Sequence, residues 1–218
     1  MTLKNIELLT KDFDAAANLL AEAFYNNPSH VYIFPDSSSR LKFLQYGLKA
    51  NLKLNLNSAT SISKSFALVE DSRPAGKRDI KAMGFWNCPH STSAGFFDKV
   101  RSGWLMMPLK FDKETCKRLM EVMSEMNRIK EQVLGENKAW YLNNMAVARE
   151  LRGKGVGTKL LQQQLKSFVV PSEFPAILMT QKETNVIFYQ KLGFEIIFES
   201  TIGKGNNRFV NWCLVFTK

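Results

Sequence analysis

The chain is poor in cysteine. Its 218 residues contain only Cys88, Cys116 and Cys213, which are odd in number, far apart and without a Cys-x-x-Cys pair. This spacing argues against a disulfide framework and against a structural zinc site. We therefore expect a reducing compartment, the cytoplasm, and a function that needs no metal.

Long apolar runs are missing as well. No stretch of the sequence approaches the length of a membrane-spanning helix. Residues 1–20 also lack the basic region, the uninterrupted apolar stretch and the small-residue cleavage site of a secretory signal. The sequence therefore predicts neither a membrane span nor secretion.

No cluster of one charge stands out, although 30 Lys and Arg against 20 Asp and Glu give a net charge of +10. The lysines are scattered from Lys4 to Lys218 with no block of five or more. A positive excess attracts anions such as nucleic acid, an acidic membrane surface or a small polyanionic cofactor. Because the charge has no centre, a nucleic-acid-binding domain is the weakest of the functions considered.

Apolar material for a core is present. Hydrophobic residues make up 45% of the chain and include 16 Phe, which favours one sizeable core over two very small ones at this length. No repeat of fixed period and no Pro/Gly/Ser-rich linker divides the chain. We therefore expect a single domain over residues 1–218.

The spacing of apolar residues predicts a mixed α/β order. Alternation indicates strands, and spacings of three and four indicate helices. Residues 89–109 mix breakers with apolar residues and show no clear period. Strands are predicted at 5–9, 58–70, 80–88, 139–147, 176–180, 194–200 and 209–216, and helices at 13–23, 41–52, 112–134, 160–168 and 184–192.

A glycine-rich turn joins one of these strands to the helix that follows it. Gly153, Gly155 and Gly157 occupy alternate positions between the apolar strand and the amphipathic helix. Glycines lack Cβ and let several backbone N–H groups converge on one anion, and the helix N-terminus adds its positive dipole end. The turn suits a pyrophosphate, but three glycines by themselves are equally compatible with a plain tight turn.

Two common nucleotide-binding motifs are excluded at this turn. A Walker loop needs a lysine directly after its last glycine, whereas Thr158 follows Gly157. A GxGxxG fingerprint that began at Gly153 would need a glycine at position 158. The glycines therefore follow neither pattern.

Two blocks of the sequence resemble motifs of the GNAT superfamily of N-acetyltransferases. Arg152, Gly155 and Gly157, preceded by MAVARE, match the Arg/Gln-x-x-Gly-x-Gly/Ala signature of the family's acyl-CoA-binding turn. The block TNVIFYQKLGFE is similar to the family's following motif, in which an Asn opens a helix, a Tyr lies four residues later and Leu-Gly-Phe begins the next strand. The two blocks stand in the family's order and cover roughly residues 138–200.

The resemblance implies the GNAT fold, a single α/β domain with a central mixed, mostly antiparallel twisted sheet flanked by helices. The common core of the family is compact. The helix at 112–134 therefore looks like an insertion, over residues 110–135, before the strand that precedes the glycine turn.

The resemblance also implies an acetyl-CoA site. Met145 and Val147 would offer backbone groups to the pantetheine and the acetyl carbonyl, and the glycine turn would hold the pyrophosphate. Tyr189 corresponds to the family's frequent general acid, which protonates the departing CoA sulfur, although an aromatic residue packed in the core is the alternative. The residues expected to bind acetyl-CoA are Met145, Ala146, Val147, Arg152, Gly153, Lys154, Gly155, Val156, Gly157, Thr158 and Asn185.

The sequence does not identify a base that would neutralise the attacking amine, whose pKa near 10.4 keeps it protonated at pH 7. Some family members place a Glu on the strand before the glycine turn, but Tyr141 stands near that position here. Asn143 and Asn144 could bind substrate or a relay water but cannot titrate. The titratable candidates without a predicted place are His30, His90 and Glu136.

The function predicted is direct transfer of an acetyl group from acetyl-CoA to a primary amine of a small molecule or peptide, by a monomer or homodimer. The aromatic segments 24–36 and 96–107 would form walls of the acceptor pocket, or would pack as ordinary core and loop. The alternative function is a GNAT-fold sensor or partner module that binds acyl-CoA without turning it over. Nucleic-acid and membrane partners are not expected.

Overall fold

The structure, a computed structural model, describes residues 3–56, 63–70, 79–91 and 95–217, except the side chain of Asn206. Seven strands form one sheet in the order β1-β2-β3-β4-β5-β7-β6. Neighbouring strands are antiparallel, apart from β4 and β5, which are parallel. The strands are β1 (Leu3–Ile6), β2 (Ser63–Glu70), β3 (Asp79–Asn87), β4 (Trp140–Val147), β5 (Ala176–Thr180), β6 (Glu195–Ile202) and β7 (Phe209–Phe216).

Helices cover both faces of this sheet. One apolar cluster joins the sheet to the helices that precede β4, and a second joins it to those that follow β4. Phe85 and Trp86 are neighbours on β3 and belong to different clusters, because successive strand residues point to opposite faces. The helices are α1 (Phe13–Phe24), α2 (Pro28–Ile33), α3 (Ser37–Leu56), α4 (Phe96–Ser102), α5 (Met107–Lys110), α6 (Lys113–Leu134), α7 (Val156–Gln164) and α8 (Glu183–Gln190).

The predicted α/β class and the sheet flanked by helices are confirmed, and most element positions agree to within a few residues. The first strand is an exception, because β1 ends at Ile6 and the prediction placed it at 5–9. The N–H of Leu8 donates to Ser65 Oγ at 3.2 Å, and that of Leu9 donates to Asp12 Oδ2 at 2.9 Å. These side-chain acceptors take the chain out of the sheet and into the turn before α1.

A short helix, α2, occupies residues between the predicted helices 13–23 and 41–52, for which no helix or strand was predicted. Asn27 caps it, since its Oδ1 accepts from the Ser29 N–H at 3.0 Å, and Pro28 takes the first helical position. Two further helices, α4 and α5, lie in the unassigned stretch 89–109, of which residues 92–94 lie outside the described residues. Part of the predicted strand 58–70 also lies outside them.

Helix α6 has the extent that its apolar spacing predicted. Asp112 caps its start, because the Oδ1 atom accepts from the Thr115 N–H at 2.9 Å. Gly135 ends it with a φ of +55°, a conformation that favours glycine. Whether the family's core lacks this helix stays a prediction from the resemblance.

A bulge in β4 changes which face its side chains point to. Phe85 lies opposite Asn144 and Trp86 lies opposite Leu142, so Asn143 is an extra residue on β4. Leu142 accordingly packs in the second apolar cluster, whereas Ala146 packs in the first. The bulge therefore redirects the part of β4 that leads to the glycine turn.

Gly84 on β3 lies against the buried side chain of Gln164. A Cβ at this glycine would lie 2.5 Å from Gln164 Oε1, and that oxygen accepts a hydrogen bond from Trp86 Nε1 at 2.7 Å. Gly84→Ala is therefore expected to displace the amide and to lower the free energy of unfolding by about 2 kcal/mol. Urea unfolding measures this change.

A double-mutant cycle separates this contact from a general effect of the substitution. In a Gln164→Ala background, Gly84→Ala is expected to cost clearly less, because the displaced amide is gone. An equal cost in both backgrounds would contradict the role of Gln164.

Candidate active site

The site begins where two parallel strands part. β4 pairs with β5 only from Trp140 to Leu142, opposite Ala176–Leu178. Beyond Leu142, β4 stays paired with β3 up to Val147, but no described residue pairs with it on the β5 side. Apart from Val147 O, which accepts from Arg152 Nε at 2.9 Å, the backbone N–H and C=O groups of Asn143–Val147 that face β5 are therefore available to a ligand.

The glycine turn places the start of α7 beside this opening. Gly153 and Gly155 have φ values of +73° and +74°, where other residues are strained. In the described structure, the first N–H of α7 with a backbone acceptor is that of Lys159, which donates to Gly155 O at 3.0 Å. The N–H groups of residues 155–158 are therefore free for an anion at the positive end of the helix.

A cavity of about 710 Å³ lies between the parted strands and the glycine turn, and we call it the anion cavity. Lys154 does not line it, since its side chain is exposed and its N–H donates to Leu151 O at 3.4 Å. The other predicted ligand-binding residues do line it: Met145, Ala146, Val147, Arg152, Gly153, Gly155, Val156, Gly157, Thr158 and Asn185.

Cations border the anion cavity, and none of its described lining residues is acidic. Arg152 is held there by a bond from its Nε to Val147 O at 2.9 Å. Burial lowers the pKa of Lys182, and the Arg152 guanidinium lowers it further, so the two cations act on each other. Lys182 and Lys191 also line the cavity and were not predicted, although two lysines that flank α8 are a signal for an anion site.

Helix α8 carries Asn185 and Tyr189 on the face that points into the site. Asn185 Nδ2 donates to Thr180 Oγ1 at 3.1 Å. Tyr189 is 9% exposed, and its hydroxyl has no hydrogen bond to another described residue. Burial raises the pKa of Tyr189 above its ordinary value, and the neighbouring Tyr141 adds to the rise. The phenol therefore keeps its proton at neutral pH.

A second cavity, of about 330 Å³, lies between the sheet and helices α2, α3 and α6, and we call it the apolar cavity. The predicted aromatic segment 24–36 supplies part of its wall. From the segment 96–107, Trp104 and Met107 line the cavity, whereas Phe96 and Phe97 are 67% and 75% exposed. The aromatic residues of the wall are Phe24, Phe34, Phe43, Trp104, Phe111, Tyr141 and Tyr189.

The two cavities meet at one place. Five residues line both of them: Phe24, Asn27, Met145, Asn185 and Tyr189. A ligand held in the anion cavity and one held in the apolar cavity would therefore touch beside the Tyr189 hydroxyl. This arrangement suits the transfer of a group from one ligand to the other.

One of the titratable candidates, His30, lies on the apolar cavity, and so does Tyr141. His30 is stacked on Phe24 with ring centroids 5.4 Å apart, and its Nδ1 atom is buried without a partner among the described residues. Burial lowers the pKa of His30 to about 4, and the nearby charge of Lys182 also lowers it. Burial raises the pKa of Tyr141 to about 12. Both side chains are therefore neutral at pH 7.

The remaining candidates divide between the cavity and the outside. Asn143 and Asn144 line the apolar cavity and bond each other, with Asn144 Nδ2 donating to Asn143 Oδ1 at 2.9 Å. Glu136 is exposed, and His90 Nδ1 lies 3.1 Å from Lys138 Nζ at the surface. Neither Glu136 nor His90 lines either cavity.

No group of three or more His, Cys, Asp or Glu side chains in the described part of the chain is placed to hold a metal ion. None of the described helices is both long enough and apolar enough to cross a membrane.

Comparison with known proteins gives a match to a family model and similarity to curated proteins. Residues 119–196 match the model of the acetyltransferase (GNAT) domain. The chain is 26% identical over 202 residues to a probable serine/threonine-protein kinase of Dictyostelium discoideum, covering 87% of the chain and 20% of that protein. It is 24% identical over 203 residues to an uncharacterized N-acetyltransferase of Schizosaccharomyces pombe. This match covers 89% of the chain and 74% of that protein. The chain thus spans about a fifth of the first relative's length.

The fold is similar to that of solved acetyltransferases. One is a polyamine N-acetyltransferase of Drosophila melanogaster that forms N-acetylagmatine, with a TM-score of 0.61, 11% identity and coverage of 99% of each chain. At this level of identity the likeness shows the fold and carries no information on the acceptor.

Proposed function

This chain belongs to the GNAT superfamily of N-acetyltransferases, and on that premise we propose that it transfers an acetyl group from acetyl-CoA directly to a primary amine. One observation carries the proposal. A cavity bordered by cations and free backbone N–H groups meets a separate apolar cavity at Tyr189 and Asn185. The first suits the donor and the second suits the acceptor.

The residues of the anion cavity fit acetyl-CoA. The N–H groups of residues 155–158, with Arg152 and Lys182 nearby, suit a pyrophosphate. The free edge of Asn143–Val147 suits the amide groups of pantetheine. Gly157 leaves the groove open, because a Cβ there would lie 3.2 Å from Val147 Cγ2. When bound, acetyl-CoA supplies a thioester carbonyl that an amine can attack.

The protein assists the transfer by stabilising negative charge on the carbonyl oxygen and by supplying a proton to the thiolate. Backbone N–H groups near Met145–Val147 stabilise the negative charge that develops on the carbonyl oxygen. Tyr189 is protonated and adjoins both cavities, so its hydroxyl gives a proton to the departing thiolate. The amine nitrogen forms the amide bond while the carbon–sulfur bond breaks, and the proton that the nitrogen loses returns to Tyr189, directly or through water, to restore its hydroxyl.

The amine must be neutral before it attacks, and the apolar cavity helps to make it so. No described side chain that lines this cavity is charged at neutral pH. Moving an ammonium group from water into such surroundings lowers its pKa, because burial disfavours the charged form. We propose that this desolvation replaces the carboxylate base that some family members use.

The pH dependence tests this part of the proposal. Between pH 6 and 9, kcat/KM is expected to rise about tenfold per pH unit, because only the free amine titrates toward its reactive form. His30 has a pKa of about 4 and Tyr141 one of about 12, so neither changes charge in this range. Profiles with two amines of different pKa should shift with the amine. A common inflection near pH 6.5 would instead indicate a protein base.

A thiol-release assay with acetyl-CoA and a panel of amines tests the function itself, beside thermal unfolding with added CoA. We expect CoA to raise the melting temperature and at least one amine to release thiol. Stabilisation without release from any amine would favour an acyl-CoA sensor. No stabilisation by CoA or acetyl-CoA would contradict the proposed donor site.

Several properties stay predictions from the sequence alone. They are the cytoplasmic location, the monomeric or homodimeric state, the lack of nucleic-acid and membrane partners, and the extent of the single domain over residues 1–218.

A further inference from the structure

The lining of the apolar cavity differs in charge from that of the anion cavity, which cations border. Among the described residues that line it there is no Asp, Glu, Lys or Arg. The charged side chains that bond or face its walls include several cations: Arg40 Nε donates to Phe34 O at 2.6 Å, Arg118 Nε donates to Ile33 O at 3.1 Å, and Lys130 Nζ lies 4.9 Å from the centroid of the Tyr141 ring. A second positive charge on an acceptor would therefore meet no partner in this cavity.

Most of the polar side chains that line the cavity are amides, and several of them bond other amides. Asn143 Nδ2 donates to Asn87 Oδ1 at 2.8 Å, and Asn144 Nδ2 donates to Asn51 Oδ1 at 3.3 Å. Gln181 Nε2 donates to Asn211 Oδ1 at 2.7 Å. These groups can offer a hydrogen bond to a neutral amine, but they cannot balance the charge of an acceptor carboxylate or a second ammonium.

The walls away from the meeting point of the cavities are apolar. Helix α6 supplies one side and α3 the other, and Phe111 makes edge contacts with Phe43 and Tyr46 at centroid distances of 5.1 and 5.9 Å. Methionines on this wall are flexible and polarizable, so they adapt to an aromatic or alkyl group. The methionines of the lining are Met107, Met123, Met126, Met145 and Met179.

We propose that the acceptor is a monoamine with an aromatic or alkyl body, and that diamines, polyamines, amino acids and peptides are poor acceptors. This inference rests on the proposed acetyl transfer. The amine end lies beside Tyr189 and Asn185, and the apolar body fills the space between α3 and α6. Charged groups are rejected because the cavity would bury them without a partner.

Steady-state thiol release measures the preference. The acceptors are 2-phenylethylamine and hexylamine on one side, and putrescine, agmatine and lysine on the other. We expect kcat/KM for the two apolar amines to exceed that for putrescine by at least about 100-fold, which is about 2.7 kcal/mol in transition-state stabilisation. Equal or faster turnover of putrescine, agmatine or lysine would overturn the inference.

A binding measurement keeps the inference separate from the transfer reaction. Calorimetric titration of the CoA-saturated protein is expected to give a dissociation constant for 2-phenylethylamine at least about tenfold below that for putrescine. If this holds without thiol release from any amine, the acetyl transfer fails and the cavity assignment stands. If putrescine binds as tightly, or neither apolar amine binds, the cavity assignment fails.

A single charge placed in the cavity tests which residues set the preference. Asn127 lines the cavity from α6, and Asn127→Asp adds a carboxylate of nearly the same size. It is expected to raise the ratio of putrescine to hexylamine turnover by at least about tenfold. Asn18→Asp makes the same change of charge on the exposed side of α1, outside both cavities, and should leave the ratio unchanged. An equal change in both variants would overturn the assignment.

Discussion

Replacement of Tyr189 by phenylalanine is expected to lower kcat by about 100-fold or more while the affinity for CoA stays unchanged. The substitution removes only a hydroxyl, which bonds no other described residue, so the ring contacts with Phe188 and Phe194 remain. The hydroxyl is the proton-bearing group where the two cavities meet. Without this hydroxyl, the thiolate of CoA would depart unprotonated. Single-turnover thiol release and calorimetric CoA binding measure the two effects.

Tyr25→Phe is the matched control for this variant. The Tyr25 hydroxyl donates to Ser37 O at 2.8 Å and lies outside both cavities. The Tyr25→Phe variant should therefore keep the kcat of the unmodified protein within the error of the assay. Should Tyr189→Phe instead weaken CoA binding in step with turnover, Tyr189 would be a binding residue and not the general acid.

Gly157→Val is expected to weaken CoA binding by about 100-fold or more, equivalent to about 2.7 kcal/mol. A Cβ at Gly157 would already lie 3.2 Å from Val147 Cγ2, 3.5 Å from Met145 Cε and 3.7 Å from Phe188 Cζ. The two further methyl groups would fill the groove between β4 and α8. Gly157 has no positive φ, so the loss would come from volume and not from backbone strain. Calorimetry with CoA measures it.

Gly95→Val is the matched control, because Gly95 has a φ of −71° and lies outside both cavities. CoA affinity should not change in this variant. Tight CoA binding by Gly157→Val would show that the ligand does not occupy the groove beside the glycine turn.

The anion cavity was largely predictable because its residues are close together in sequence. The spacing of Gly153 and Gly155 indicates a turn that only glycine adopts easily, and both have positive φ in the structure. The prediction included Lys154, which the structure places outside the cavity, and missed Lys182 and Lys191. Which of several neighbouring lysines faces a cavity depends on the direction of each side chain, and spacing alone does not determine that direction.

The apolar cavity could not be predicted in the same way. The spacing in α6 predicts a helix with an apolar face, and the aromatic residues around Phe34 suggest a wall. Neither shows that α2, α3 and α6 leave an uncharged space above β4, or that His30 faces it. The bulge at Asn143 also has no signal in the sequence, although it redirects the side chains of β4.

The sequence by itself determined the order of the seven strands and of α1, α3, α6, α7 and α8, together with the glycine turn, because each depends on residues within a few positions of one another. Only the tertiary structure decided that β4 parts from β5 after Leu142, that Lys182 joins Arg152 at the anion cavity, and that the acceptor side lacks charge. These features depend on contacts between distant segments, where packing fixes which side chains meet.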